Sequence, residues 1–510
     1  MMKKTKITAL LASAAILLAS GCGGGGRAPA ATEAGQTTTQ AAQTEKAETT
    51  VNAANMEFEE AEVKEIDKDQ PTGTIKLLIY YDLCSSAADL VDLFESRYGG
   101  TIDQEICGSG TAYFERLGTL VAADSSPDIT RYEWASFPHG ISRNMYTPID
   151  TYIDLDSDLW KGMKDIAEQF SYNGKHYYVP YTLSSNFAIN YNKCVLEEYG
   201  LSDPMELYQN GEWTWDTFRD LLRKWCDISP DHVGYTGVGA MSFIATTGTK
   251  IIDVRDTEII NNLNSDKIVR CMEFLEDLYR QGLTGNGYVD PGEAFVDGKT
   301  LFLGMEPVWS YGAACESLFR KNLDYDMAFV PFPRDPNADN YYIAYDSFGY
   351  MIPAGAKNIK GAVDWITLNR EEKMNPDNIA KEKAEQTDPS TKYYGKCPEC
   401  KYNYIENNTD DLTECPNCGA PRKVKFNAYY SEEQYDLLQD MITPENGKFV
   451  MLFDNVNGFN ADLSDLFQGG DDSLLDGPLY AGASFAQLRE SYYFSIESIL
   501  DDYREKLKNS

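Results

Sequence analysis

The chain has 510 residues and a formal net charge of -35, from 80 acidic against 45 basic side chains, with only three histidines. That balance repels nucleic-acid phosphates and anionic lipid surfaces, which excludes both as partners recruited by charge. Aromatic side chains are abundant, with 34 Tyr and 7 Trp, and the acids recur throughout, so the charge reads as a solvated surface.

The chain opens MMKKTKITALLASAAILLASGC, with Lys3, Lys4 and Lys6 ahead of an apolar run from Ile7 to Ala19. This is an export signal, too short to remain as a membrane-spanning helix. Its ending, Leu18-Ala19-Ser20-Gly21-Cys22, resembles a bacterial lipobox. The resemblance implies a signal peptide over 1–22, cut so that a lipid-modified Cys22 becomes the first residue. The protein is then anchored on the extracellular face of the bacterial cell membrane rather than spanning it. Residues 23–72 carry one aromatic, Phe58, and cannot bury enough surface to offset their ordering entropy. They are expected to be a disordered tether with a reach of roughly 40 Å.

The remaining ~440 residues exceed one simple core and imply at least two lobes. TIKLLIYYD, Thr74 to Asp82, reads as a strand, and SSAADLVDLFESRYGG as a helix started near Ser86 or Asp89 and stopped by Gly99. A short strand TIDQEIC, a helix TAYFERLGTLVAA and a run DITRYEW between Pro127 and Pro138 follow. Such alternation argues for an α/β sheet whose strand ends meet one crevice.

At this point a family resemblance appears. After the first strand and helix come GTAYFERL, SSPDI, NGKHYYVPY, NYNK and WTWDTF, then LEDLYRQGL, AFVDGKTLFLGMEPVW, YDMAFVPFPRD and FGYMIPAGAKN. In this order they resemble the extracellular solute-binding proteins of ABC importers, in the sugar-binding group (family 1) that includes maltose-binding protein. The resemblance covers about Thr74 to Leu368 and resumes near Tyr429. It implies an α/β, two-lobed periplasmic-binding-protein-like (type II) fold with a hinge, and a monomer that hands a carbohydrate, such as an oligosaccharide, to a permease. On that map the solute-binding domain covers 73–370, with lobe crossings near 186 and 328, and C-terminal helices over 427–510 complete the second lobe. A non-sugar solute is the first alternative.

Sugars present C–H faces to aromatic rings and hydroxyls to carboxylates. The strand-end positions that the resemblance implies as ligand contacts are Asp82, Tyr132, Trp134, Tyr181, Ser185, Trp309, Tyr345 and Asp346. Trp213 and Trp215 read as the capped start of a helix, and Trp160, Trp225 and Trp365 as core. No catalytic role is assigned: His139, His176 and His232 lack triad or ligand spacing, and neither G-x-S-x-G nor a phosphate-binding loop occurs.

Two Cys-x-x-Cys pairs, Cys397/Cys400 and Cys415/Cys418, stand 14 residues apart in KCPECKYNYIENNTDDLTECPNCGAPRK. Four thiolates from two tight turns make a tetrahedral metal site, and Gly419 lets the second turn close. The pattern resembles zinc ribbons and rubredoxin-like knuckles, although Lys401 stands where rubredoxins have glycine. Zinc is the expected metal, with iron and an electron-transfer role as the alternative. Four protein ligands close the coordination sphere, so the site is structural. The knuckle is expected to occupy an insert over 371–426, its leading half loop-like. The other six cysteines are too scattered for a disulfide framework and are expected as buried free thiols.

Overall fold

The computed structural model describes residues 53–509, apart from 62, 64–68, 186, 238, 286, 288, 322, 388–392, 397–398, 400–402, 407–416, 421–424, 427–429, 455, 460 and 469. The export signal, Cys22, most of the expected tether and the knuckle cysteines Cys397, Cys400 and Cys415 lie outside the described residues.

In chain order the first lobe contains β1 (Thr74–Ile79), α1 (Ala88–Tyr98), β2 (Thr101–Ile106), α2 (Thr111–Ala122), β3 (Ile129–Arg131) and β4 (Val179–Ser185). The second contains β5 (Ala188–Asn192), α3 (Trp215–Cys226), β6 (Val233–Gly237), α4 (Asp266–Arg280), β7 (Thr300–Met305), α5 (Pro307–Arg320) and β8 (Met327–Val330). Then follow β9 (Tyr342–Met351), α6 (Ile359–Met374), α7 (Pro376–Thr387), β10 (Tyr393–Lys396), β11 (Asn403–Glu406), β12 (Lys425–Phe426), α8 (Glu432–Ile442), β13 (Val450–Leu452) and α9 (Phe485–Asn509).

The first sheet has the order β13-β9-β3-β1-β2, with β4 also paired to β9. β1 runs parallel to β2 and β3 and buries Ile75, Leu77, Leu78 and Ile79, as a strand covered on both faces must. The second sheet has the order β8-β5-β7-β6, and β7 (TLFLGM) is buried from Leu301 to Met305. Helix α3 shows how the second lobe closes on its sheet. Trp215, Phe218, Leu221, Leu222 and Trp225 recur at helical spacing and are all buried. Thr214 and Thr217 form a reciprocal capping box that starts the helix. Trp213, Trp160 and Trp365 are buried too, and the Trp213 indole N–H donates to the Pro331 carbonyl at 2.8 Å.

The two lobes are joined by a paired ribbon. From Val179 to Asn192 the chain leaves the first sheet as β4 and enters the second as β5. It returns as β8 and then β9. β5 pairs antiparallel with β8 (Ile189 opposite Val330), and β4 pairs antiparallel with β9 (Asp346 opposite Ser184). Met327–Val330 belongs wholly to the second sheet, so the chain passes back between Val330 and Tyr342. A bulge between Phe348 and Gly349 re-aims β9. A Cβ on Gly349 would come within 2.5 Å of the Tyr178 ring, so this close approach requires glycine.

Four expectations need correction. The segment before the knuckle is helical, because α6 runs to Met374 and α7 follows from Pro376, with Lys381 and Glu385 paired at 3.8 Å. It buries no residue over α7, so it lacks the apolar period that marks a helix in sequence. The C-terminal part is not confined to the second lobe. β13 extends the first sheet beside β9, while α9 reaches both lobes: Arg504 Nε donates to the Ile259 carbonyl, and the Tyr503 hydroxyl sits 2.6 Å from His139 Nδ1. Of the six scattered cysteines, Cys271 and Cys315 are buried, but Cys84, Cys107, Cys194 and Cys226 are half-buried, all with free thiols.

The tether also ends earlier than expected. Residues 53–61 pack on the first lobe, with Ala54 buried against α2 and its carbonyl accepting from His139 Nε2 at 3.2 Å. The Phe58 N–H donates to the Arg143 carbonyl, the Phe58 carbonyl accepts from Asn144, and Glu57 pairs with Lys506 of α9. This strap approaches so closely that a Cβ on Gly118 would lie 2.1 Å from the Ala53 carbonyl oxygen. No helix among the described residues is long and apolar enough to cross a membrane.

Gly118→Ala is expected to expel the strap, outweighing the roughly 1 kcal/mol that alanine adds to the helix, at a net cost of about 1–3 kcal/mol. Hydrogen exchange should accelerate at Ala54–Phe58 while β1 stays protected; unchanged protection there would refute the docking. His139 is buried, and burial together with the Arg143 guanidinium pushes its imidazole down from 6.5 to about 4. The unfolded chain therefore takes up this proton first. Stability is complete above pH 6.5 and falls by at most about 3 kcal/mol as pH drops to 4. Denaturant titrations of wild type and His139→Gln across that window should show the slope reduced in the variant.

Candidate functional site

The C-terminal ends of β1 and β3 bring Tyr80, Tyr81, Arg131 and Glu133 together. Arg131 Nη1 donates to the Tyr80 hydroxyl at 2.7 Å, and its Nε lies 3.5 Å from Glu133 Oε1. The guanidinium carbon stands 5.3 Å from the Tyr80 ring centre and 5.5 Å from those of Tyr81 and of Phe348 on β9. Each such cation–π contact is worth about 0.5–2 kcal/mol, so the arginine is held by an aromatic collar. Tyr181, half-buried at the end of the ribbon's first-lobe half, stacks on Tyr350 with ring centres 5.8 Å apart.

Asp346 occupies the ribbon itself. It is exposed to solvent, yet burial by surrounding protein still pushes its carboxyl up, with the Ser347 N–H and Arg131 pulling the other way. On the ribbon, opposite Ser184, it stands where the chain passes between the two sheets. Opposite stands Glu306, which follows β7 in the second lobe. It is half-buried and pushed up to about 7, first by burial and then by the charge of Asp346. Glu133 reaches about 7 as well, through burial and Asp346, against the pull of Arg131. Buried Asn190 on β5 pins the strand end that carries Glu306, its Nδ2 donating to the Leu303 carbonyl at 3.2 Å and the Met305 carbonyl at 3.0 Å. Asp346 thus couples electrostatically to Glu133 and Arg131 of the first lobe and to Glu306 of the second. Such crowding of like charge is the mark of a functional site.

The expected contact residues are placed differently from one another. Asp346 is exposed on the ribbon, and Tyr181 is half-buried within electrostatic reach of Tyr81 and Arg131. Trp134 is half-buried and spends its ring edge-to-face on Phe114 at 5.6 Å. Asp82 is a helix cap: its carboxylate accepts from the Ser85 N–H and hydroxyl and from Gln104, which hold it below the usual carboxylate range. Tyr132 and Tyr345 are buried beneath the cleft, Tyr132 stacked 4.3 Å from Tyr178 and Tyr345 against Phe453. Ser185 sits in β4 opposite Tyr345, and Trp309 in the first turn of α5; their side chains are outside the description.

Sequence reasoning missed Tyr80, Tyr81, Arg131, Glu133, Glu306 and Phe348. A signal existed, since strand side chains alternate, and placing Tyr132 inside would have turned Arg131 and Glu133 toward the cleft. Two surface hollows, of about 330 Å³ beside Glu198 and Lys299 and about 440 Å³ beside Arg223 and Gln281, are lined only by second-lobe residues. Neither is placed to sense the first lobe.

Comparison with known proteins agrees with this architecture. A family model described as bacterial extracellular solute-binding protein matches residues 89–381. No curated relative matches. Among solved structures, the chain is similar to the ABC substrate-binding protein Lmo0181 of Listeria monocytogenes in complex with cycloalternan, at 15% identity, TM-score 0.53, covering 84% of this chain and 99% of that one. It is similar also to UgpB of Mycobacterium tuberculosis in complex with glycerophosphocholine (17% identity, TM-score 0.54, 84% and 99% covered) and to the sugar-binding protein MalE of Xanthomonas citri (15%, 0.54, 86% and 98%). At such identities these structures share the fold, which is the two-lobed one, and the match of the family model over more than half of the chain shows that it belongs to the bacterial extracellular solute-binding proteins.

Proposed function

We propose that the protein is a lipid-anchored receptor, tethered through Cys22, that captures a carbohydrate in the cleft between its lobes and presents it to an ABC importer permease. The observation that carries this reading is the cleft at Asp346, where carboxylates and an arginine with tyrosine faces converge from both lobes. Carboxylates and guanidinium suit sugar hydroxyls, and ring faces suit C–H surfaces. Relatives of this fold hold cycloalternan in one case and glycerophosphocholine in another, so a soluble, polyhydroxylated or polar solute fits the lineage. The hinge supplies the mechanism. A ligand touching Asp346 and Glu306 together bridges two rigid sheets and so stabilises the closed state by its differential contacts.

Calorimetry on the purified mature chain with a panel of oligosaccharides tests the reading. Binding by at least one is expected, and Asp346→Asn should weaken it ten- to a hundredfold, the worth of about 1.5–3 kcal/mol for a hydrogen bond to a charged group. A peptide or inorganic anion binding where no sugar does would refute the carbohydrate assignment.

The knuckle is proposed to hold structural zinc through Cys397, Cys400, Cys415 and Cys418. β10 pairs antiparallel with β11, leaving the first cysteine pair in the connection between Lys396 and Asn403. β12 pairs antiparallel with β10, so its start lies toward the same end of the sheet, where the chain arrives from the second pair. Cys418 is exposed in a turn that Gly419 closes at φ 70°. Elemental analysis should find one zinc per chain, lost in Cys415→Ser with solute affinity unchanged. A red, iron-loaded protein from native cells would instead favour the electron-transfer alternative.

A further inference from the structure

We propose that the strap at 53–61 is a clasp on the seam between the lobes, so that strap docking and the movement of one lobe against the other form one coupled equilibrium. The inference holds whatever solute the protein takes, because it rests on no contact of Asp346 or Glu306.

Between β6 and α4 the second lobe sends out a hairpin, Ile252–Arg255 paired antiparallel with Glu258–Asn261. The chain then enters α4 at Asp266, and α4 is fixed in the second lobe by Phe274, stacked 4.9 Å from Trp215 of α3. Two elements grip this hairpin. At its turn Asp256 accepts from the first lobe, its carbonyl from the Asn173 N–H at 3.0 Å and its carboxylate from the Gly174 N–H. Asp256 is left-handed, at φ 36°, and a strained residue of this kind persists where its surroundings over-determine it, as these two bonds do. Along the second strand α9 holds the hairpin, with Arg504 Nε donating to the Ile259 carbonyl at 2.9 Å and Glu497 accepting from the Asn261 amide at 2.7 Å. The end of α9 is seated on the first lobe, where the Tyr503 hydroxyl lies 2.8 Å from the Phe459 carbonyl and 2.6 Å from His139 Nδ1.

The strap touches both grips at once. Glu57 pairs with Lys506, near the end of α9, and Glu60 pairs with Lys175, next to Gly174. Between them the strap is fixed to the first lobe by its backbone, through Phe58 to Arg143 at 3.0 Å and to Asn144 at 2.9 Å. Each ion pair is solvent-exposed, so each alone is weak and screened by salt. Carried on one strap with fixed backbone bonds, the two act together on the elements that reach the hairpin. The hairpin is no part of the ribbon, so bending the ribbon strains or releases these bonds. By linkage, whatever loosens the seam loosens the strap in return.

Hydrogen exchange on the mature chain, without solute, tests this, because amide opening reports local equilibria. Three amides serve as reporters of the seam: Asn173 and Gly174, which donate to Asp256, and Ile251 of the second lobe, which donates to the Asp454 carboxylate after β13. In Glu57→Gln/Glu60→Gln all three are expected to exchange about three- to tenfold faster, the scale of two surface ion pairs. Gly118→Ala, which acts on the strap from α2, should accelerate them further, while β1 and β7 keep wild-type protection. The converse arm starts from the hairpin. Asp256→Gly keeps the left-handed turn without strain and removes the carboxylate, and the Phe58 amide is expected to exchange several-fold faster. If Phe58 loses protection in the strap variants while Ile251 keeps its own, the strap is a local cover and the inference falls. If Asp256→Gly leaves Phe58 as protected as before, the coupling is absent and the inference falls likewise.

Discussion

The pairing of β4 with β9 is the constraint on which the rest of the molecule depends. These strands belong to the two passages of chain between the lobes, and their continuations β5 and β8 pair again in the second sheet. The lobes are therefore joined by a hydrogen-bonded ribbon rather than by independent linkers. A ribbon of this kind bends more readily than it shears, because sliding one strand past the other would break the ladder and turn every side chain to the wrong face. Asp346 stands on that ribbon, opposite Ser184, so the charge at the cleft floor is fixed relative to the hinge. The Asn190 amide serves the same end in the second lobe by tying the last carbonyls of β7 to the ribbon.

Electrostatics then make the cleft costly when empty. Glu133 and Glu306 both titrate near 7, because burial removes water from carboxylates that also repel Asp346. In a protein interior, where screening is weak, such an arrangement persists only when the surrounding fold over-determines it. Here the strand ends, the bulge at Phe348 and Gly349, and the Tyr178 ring against that glycine do so.

Elements outside the two sheets divide into those that brace the lobes and those that do not. The strap at 53–61, His139 and α9 form one continuous contact: Ala54 meets His139, His139 meets Tyr503, and Glu57 meets Lys506. Because α9 also reaches Ile259 in the second lobe, the bracing runs behind both lobes. The N-terminal segment is thus held to the body at 53–61. Among the described residues the knuckle strands β10, β11 and β12 pair with one another, and β12 lies against α5 of the second lobe.

Much of this was legible in the residues alone. The alternating strands and helices and the capped helix at Trp215 rest on local patterns, because a helix period or a cap is a property of neighbours in the chain. The residues also determined that strand ends would carry aromatic and acidic side chains, Asp346 and Tyr181 among them. They did not determine which side of each strand would face the cleft. Tyr132 and Arg131 are adjacent and both suited to a ligand; only the stacking of Tyr132 on Tyr178 puts the tyrosine in the core and turns the arginine toward Tyr80, Tyr81 and Phe348. The same one-residue choice buries Tyr345 and presents Asp346. Glu306 is more remote still, since its meaning comes from a carboxylate 40 positions away that the ribbon brings opposite. Alternation is a local rule with period two, but its phase is set by packing against the other elements, and that belongs to the tertiary structure.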